Sequence, residues 1–242
     1  MHNINISIEA RMTSTRLPGK VMMPINGKIN LAIMIDRLKK SKLINNIIVA
    51  TTTNKEDDEI VSWCKQNNIS YFRGSENNVY DRVLKAHQEF NSDIIIELTG
   101  DCPLLDSSTI DKILQIFLNN NYDYVSTADS YPLGIAVQIY SLTTLESVSK
   151  NRSLEYQDKE HVTPYIYTNK DKYKCFYSEA TDEHQYQNLS VTLDTKEDFE
   201  VIQNICKGFD NFDFSLKDII NFAKQNTHLV SSNQNIHRKG LS

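Results

Sequence analysis

Seven glycines in 242 residues leave this chain without either of the common glycine-rich nucleotide loops. There is no G-x-G-x-x-G and no G-x-x-x-x-G-K-[ST], which weakens a dehydrogenase or P-loop reading. The four cysteines, Cys64, Cys102, Cys175 and Cys206, form no C-x-x-C pair. A zinc or thioredoxin motif is therefore not indicated, and the wide spacing fits a reducing compartment better than a disulfide scaffold. No apolar run approaches the roughly 20 residues of a membrane span. The N-terminus carries no apolar signal core, so a cytoplasmic protein with no membrane partner is expected. Positive charge is also in deficit: 26 Lys and Arg face 31 Asp and Glu, a net charge of −5. Nucleic acid is excluded as a partner on that ground, because no general basic field attracts a polyanion. An acidic chain that binds phosphate must concentrate its cations locally.

The first two-thirds alternate short β-type runs with helical stretches. The pattern predicts strands at 4–8, 47–51, 70–73, 93–98 and 123–127. Helices are predicted at 30–40, 56–66, 79–90 and 107–118, the last with Ser107 as its N-cap. Ile94-Ile95-Ile96 reads as a strand buried on both faces. Repeated β-α-β units imply a mostly parallel central sheet with helices on both faces. Ligands of such α/β sheets bind beyond the carboxyl ends of the strands, here after Ile8, Ala50 and Leu98. The last third is less regular, with strands expected at 136–140, 173–178 and 189–193. Helices are expected at 154–168, around Pro164, and at 196–207 and 216–225. The expected organisation is a single domain over 1–228, with an acceptor and dimerisation segment at about 130–190, and a frayed polar tail over 229–242.

The first loop reads Ala10-Arg11-Met12-Thr13-Ser14-Thr15-Arg16-Leu17-Pro18-Gly19-Lys20. Three permanent cations stand among small hydroxyl residues. Arg forks grip phosphate oxygens in pairs and Lys supplies a mobile point charge. A solvated basic turn is the alternative, but the position after the first strand favours a phosphate cradle. Asp101, in Thr99-Gly100-Asp101-Cys102-Pro103, follows a central strand, and Asp194 ends a later one. Two aspartates on distant strands suit Mg²⁺, which takes one or two carboxylates plus phosphate oxygens and water. Capping of the following turn or helix is the alternative for both. Trp63 falls on an amphipathic helix and reads as core. Asp81 and Arg82 read as an ion pair that braces the preceding loop.

The loop A-R-M-x-S-x-R-L-P-G-K resembles the signature of the cytidylyltransferases of the spore-coat polysaccharide (SpsF) type, relatives of the CMP-Kdo and acylneuraminate cytidylyltransferases. The likeness continues through V-A-T-T (Val49 to Thr52), F-R-G-S-E-x-x-V-x-D-R (Phe72 to Arg82) and T-G-D-C-P-L (Thr99 to Leu104). E-H-V-T-P-Y-I-Y (Glu160 to Tyr167) and L-D-T-x-E-D-F (Leu193 to Phe199) complete it, in the family's order over nearly the whole chain. The resemblance implies a Rossmann-like nucleotide-diphospho-sugar transferase fold. It also implies transfer of CMP from CTP to a small acidic sugar or phosphorylated acceptor, in the biosynthesis of a surface glycan precursor. Arg11, Lys20 and Asp101 would be catalytic. Ala10, Arg11, Ser14, Arg16, Lys20, Thr51, Arg73, Ser75 and Thr99 would contact CTP, with Arg73 and Ser75 beside the base. Asp101 and Asp194 would hold Mg²⁺. Gln138, Glu160 and His161 would face the acceptor, with Tyr131, Tyr165 and Tyr167 as further candidates. The resemblance implies an acidic residue where this chain has Gln138, so the acceptor does not carry over. A homodimer is expected through the later segment. The readings left beside this one are another nucleotidyltransferase acting on a sugar phosphate, and a non-catalytic nucleotide-binding subunit. A glycosyltransferase would need a D-x-D after a strand; the nearest approach, Asp210-Asn211-Phe212-Asp213, is one residue too wide.

Overall fold

The computed structural model describes residues 2–151, 154–186 and 188–236. From the N-terminus run β1 (Ile4–Glu9), the short strands β2 (Pro24–Ile25) and β3 (Lys28–Ile29), α1 (Asn30–Leu38), β4 (Asn46–Thr52) and α2 (Asp58–Gln66). Then come β5 (Ser70–Gly74), α3 (Val79–Glu89), β6 (Ile94–Thr99), α4 (Ser107–Asn119) and β7 (Tyr124–Thr127). The last part holds β8 (Gln138–Ser141), α5 (Leu142–Asn151), α6 (Tyr156–His161), α7 (Pro164–Thr168), β9 (Cys175–Ser178), α8 (Lys196–Lys207) and α9 (Leu216–Gln225).

Seven strands form one sheet in the order β5-β4-β1-β6-β8-β7-β9, and β2 pairs with β3 apart from it. Only β8 runs against its neighbours, so the mostly parallel α/β expectation holds. β1 and β6 take the centre because their apolar side chains can be buried on both faces: Ile6, Ile8, Ile95 and Ile96 are fully buried. The chain moves outward from β1 through β4 to β5, then returns to place β6 on the other side of β1. That reversal opens a crevice at the carboxyl ends of β1 and β6, where ligands of such sheets bind. Gly100 closes its floor. Its N–H donates to the Glu9 carbonyl at 2.9 Å, and a Cβ there would stand 2.9 Å from that same oxygen.

Several expectations are corrected. The N-cap of α4 is Asp106, which accepts from Thr109 N and also from Leu216 N at the start of α9, each at 3.0 Å. The helix expected over 154–168 splits into α6 and α7. Pro164 offers no N–H and disfavours helical backbone at Thr163, and the chain turns at Val162 with φ 64°. Thr163 N donates to His161 O at 2.7 Å, a strained γ-turn. Among the described residues, the stretch 189–193 forms no ladder beyond one bridge, Leu133 to Ser190. It instead lies extended against two loops, with Val191 N on Leu133 O and Leu193 N on Asp101 O, both at 2.7 Å. Asp81 pairs with Lys85 rather than Arg82. The stretch expected to fray from 229 is anchored by buried Asn233, which donates to Ser190 O at 3.1 Å and Asp198 Oδ1 at 2.8 Å; residues 237–242 lie outside the described residues.

Candidate active site

The loop after β1 is held from three sides. Its Met12 carbonyl accepts from Ser14 N at 3.0 Å and Gly19 N at 2.9 Å, which closes the loop on itself. Met12 N donates to Asp57 Oδ1 at 2.7 Å, and the other oxygen of this fully buried carboxylate accepts from Thr52 N at 3.1 Å. Asp57 thus ties the loop to the end of β4. Asn30, also fully buried, donates to the carbonyls of Lys20 at 3.2 Å and Gly100 at 2.9 Å. That single amide sets Lys20 beside the loop after β6.

The outcome is a compact four-residue cluster. Lys20 Nζ lies 2.8 Å from Asp101 Oδ2 and 2.7 Å from Asp194 Oδ1. Arg16 Nη2 lies 2.9 Å from Asp194 Oδ2. Thr99 Oγ1 donates to Asp101 Oδ1 at 2.6 Å and orients that carboxylate. Burial opposes charge on Asp101, yet the Lys20 ammonium, with bonds from Lys20, Thr99 and Cys102, holds its carboxyl below the usual range. Burial likewise opposes charge on Lys20, and Asp101 and Asp194 outweigh it and hold the ammonium above its ordinary pKa. Thr195, not Asp194, caps α8 through a reciprocal pair with Asp198. The Asp194 side chain is therefore turned into the crevice.

The other expected residues divide. Ala10 is buried, with its N–H on Ala50 O at 3.3 Å, and Ser14 is half-buried in the loop. Arg11 sits at the far side of the loop, 3.2 Å from Glu76 Oε1, apart from the Lys20 cluster. Bonds from Thr13 and Asn54, with the Arg11 charge, hold Glu76 below its ordinary pKa. Thr51 is fully buried at the end of β4. Arg73 is turned onto the loop after β4, donating to Thr52 O and Asn54 O at 2.8 Å and to Asp58 Oδ1 at 2.6 Å. In this arrangement Arg73 braces that loop, and contact with a base would require it to leave these partners. Ser75 is exposed, and its carbonyl accepts from Arg82.

On the acceptor side, Gln138 Oε1 accepts from Tyr124 Oη at 2.8 Å and Thr163 Oγ1 at 2.5 Å. Glu160 is half-buried on α6, and His161 ends that helix with its side chain exposed. Tyr131 and Tyr165 are buried, their hydroxyls accepting from Lys112 at 3.1 Å and Lys172 at 3.0 Å, which marks them as packing residues. The sequence reading missed Glu9 and Glu97, a carboxyl pair on β1 and β6. The signal was present: an acid inside an otherwise apolar strand is rarely buried without a purpose. Asn30, Asp57 and Thr163 were missed too, and a lone polar residue in a helix or loop gives no such signal.

A model of the cytidylyltransferase family matches residues 6–236. The chain belongs to the cytidylyltransferase family. It is a nucleotidyltransferase enzyme by that membership. The spore coat polysaccharide biosynthesis protein SpsF of Bacillus subtilis is 33% identical over 93% of this chain and 96% of its own. A cytidylyltransferase from Leptospira borgpetersenii superposes with a TM-score of 0.90 at 34% identity, covering 99% of this chain and 100% of that one. A CMP:2-keto-3-deoxy-manno-octonic acid synthetase complexed with CTP superposes at 0.64 over 85% of this chain and 99% of that one. Its 16% identity shows a shared fold alone. Among the described residues, no helix is long and apolar enough to cross a membrane.

Proposed function

We propose that this cytidylyltransferase moves CMP from CTP to a small acidic sugar or similar acceptor, with Mg²⁺ as cofactor and pyrophosphate as the second product. One observation carries the reading: Lys20 stands between Asp101 and Asp194 at hydrogen-bond distance from each, with Arg16 on the outer carboxylate. Two carboxylates that share one ammonium have the spacing to share one cation, and no third acidic ligand is needed when phosphate oxygens and waters complete the shell. Asp101 and Asp194 would hold Mg²⁺, which supplies charge neutralisation at the α-phosphate. Lys20 and Arg16 would then exchange their carboxylate partners for phosphate oxygens, and Arg11 would leave Glu76 to grip the outer phosphates.

The acceptor oxygen forms a bond to the α-phosphorus as the bridging Pα–O–Pβ bond breaks, the electron pair leaves with pyrophosphate, and the proton of a hydroxyl acceptor passes to water. Little covalent chemistry falls to the protein, so positioning and preorganised charge do the catalysis. Gln138, Glu160 and His161 would face the acceptor, with Thr163 holding the Gln138 amide. The SpsF relative, named for spore coat polysaccharide biosynthesis, supports a place in polysaccharide precursor synthesis. A homodimer through 130–190 is supported by Leu133, Tyr156 and Tyr177, large side chains left exposed in that stretch; a sedimentation mass of one 27.9 kDa protomer would remove it.

The test is pyrophosphate release from CTP, UTP, ATP and GTP with MgCl₂ and a panel of sugar acids and polyol phosphates. Release with CTP and a CMP-bearing product is expected. Equal turnover of all four nucleotides, or none with any acceptor, would overturn the assignment.

A further inference from the structure

Beside the Lys20 cluster, on the sheet face that α3 covers, lies a second polar group of side chains. Ser7 and Glu9 on β1 and Glu97 on β6 project to one face by the two-residue period of a strand, and Gln138 stands opposite Glu97. Arg82 of α3 reaches in over them. Ser7 is fully buried, and Arg82 and Glu97 are each 3% exposed. Tyr140 donates its hydroxyl hydrogen to Glu97. Glu9 and Glu97 crowd the same face of neighbouring strands, and two carboxyls so placed oppose each other's ionisation. Burial and the neighbouring Glu9 push Glu97 well above the usual carboxyl range. Burial raises Glu9 to about 7, against the opposing pull of Arg82 and the Glu97 bond.

The cluster is incomplete. Arg82 gives one amino group to the Ser75 carbonyl, but its buried Nε and the buried Ser7 hydroxyl meet no partner among the described residues. Buried polar atoms are nearly always paired, so orphans at the edge of a site point to an absent ligand group. Glu9 lies in register with Thr99, whose hydroxyl bonds Asp101, which places the cluster beside that carboxylate; the Glu160 charge acts on Glu9 too. The chemistry of the missing group follows from its neighbours. A carboxylate would meet Glu9, Glu97, Glu160 and Asp101 against Arg82 alone. A cation would meet the Arg82 charge and a carboxyl that burial holds toward its neutral form. A hydroxyl fits both sides, since its oxygen accepts from Arg82 and its hydrogen donates to Glu9.

We propose that Glu9, Arg82 and Glu97 form a specificity subsite that takes one hydroxyl group of the acceptor. This rests on the reading above that a sugar-like acceptor binds beside Asp101. It assigns the hydroxyl-bearing part of the acceptor to this face and leaves its charged part to lie elsewhere.

The probes are 3-deoxy-manno-octulosonate, N-acetylneuraminate, mannose and glycerol 3-phosphate, titrated calorimetrically into the wild-type chain, Glu9→Gln and Arg82→Gln. The monodeoxy forms of the tightest probe complete the set. At least one probe should bind the wild-type chain, and each substitution should weaken it by about tenfold or more, the scale of one lost hydrogen bond to a charged group. Removing one particular hydroxyl should cost a similar factor in the wild-type chain and less than about twofold in Arg82→Gln, because the two losses are then the same bond. No binding by any probe, wild-type affinity in both variants, or equal deoxy losses in all three proteins would overturn the subsite and leave only a resident water there. Circular dichroism melts check folding, and if Arg82→Gln unfolds, the same comparison in Glu9→Gln decides. CTP with MgCl₂, titrated into the same samples, reads the nucleotide site separately: its loss from the wild-type chain sinks the cytidylyl reading, while its retention with unresponsive probes sinks the subsite alone.

Discussion

Two carboxylates drawn into one crevice repel each other, and Lys20 is what lets Asp101 and Asp194 share it. Lys20→Ala should lower kcat/KM by roughly 10²-fold or more, the usual loss for one charge stabiliser, and Asp101→Asn should do the same. Steady-state kinetics check both, and wild-type turnover in Asp101→Asn would remove that carboxylate from the mechanism. A second residue-scale test concerns Glu9. Its carboxyl holds a proton up to about pH 7 in the folded chain against an ordinary value of 4.5. The folded state then binds more protons than the unfolded one between those values, and stability falls as pH rises through that window. Buried His87 acts in the opposite sense: burial pushes it down to about 3, so its contribution is lost as pH falls below 6.5. The His87 slope is common to the wild-type chain and Glu9→Gln and cancels in their difference. Urea titrations from pH 4.5 to 7 should therefore show Glu9→Gln gaining on the wild-type chain as pH rises. Lys20, Arg16 and Asp101 were legible from charge beside an apolar strand, whereas Asp194 reads as well as a helix cap and joins the set only through the family resemblance. Arg73 was not legible in its orientation, since sequence shows a guanidinium but not that Asp58 and two carbonyls lie within its reach.

Elements with strong apolar periodicity were readable nearly to their ends: β1, β4, β6, α4, α8 and α9 fall within two residues of expectation. Their stability is in the core, so Ile96→Ala, at a fully buried position on β6, should cost about 2–5 kcal/mol by chemical denaturation. Helix α5 escaped notice because Thr143, Thr144, Ser147 and Ser149 are weak helix formers, and only the burial of Leu145 and Val148 shows which face it packs. The segment 189–193 has a strand's composition without a strand's partners, because its N–H groups are taken by the Leu133 and Asp101 carbonyls. Those bonds carry Asp194 to the site from the far end of the sequence. Gly134 keeps that docking possible: it has φ 96°, and a Cβ there would stand 2.5 Å from Thr192 N. Gly134→Ala should therefore cost activity more than fold, read as a loss in kcat/KM larger than its shift in melting temperature implies.

At the scale of the whole molecule, an acidic chain handles a polyanion by gathering its cations at one edge of the sheet. The first loop supplies Arg16 and Lys20, with Arg11 at its far side; the reversal beside β1 brings Asp101 to meet them, and the docked 189–193 segment brings Asp194. Sequence could place each half of that meeting at a strand end but could not show the two halves in contact, because contact depends on Asn30 and on the docked 189–193 segment. Isothermal titration of CTP, with and without MgCl₂, into the wild-type chain and Asp101→Asn/Asp194→Asn tests the meeting most directly. One CTP per chain with affinity raised by magnesium about tenfold or more is expected, and that gain should vanish in the double variant. CTP uptake that ignores magnesium, or a double variant that keeps the full magnesium effect, would contradict it.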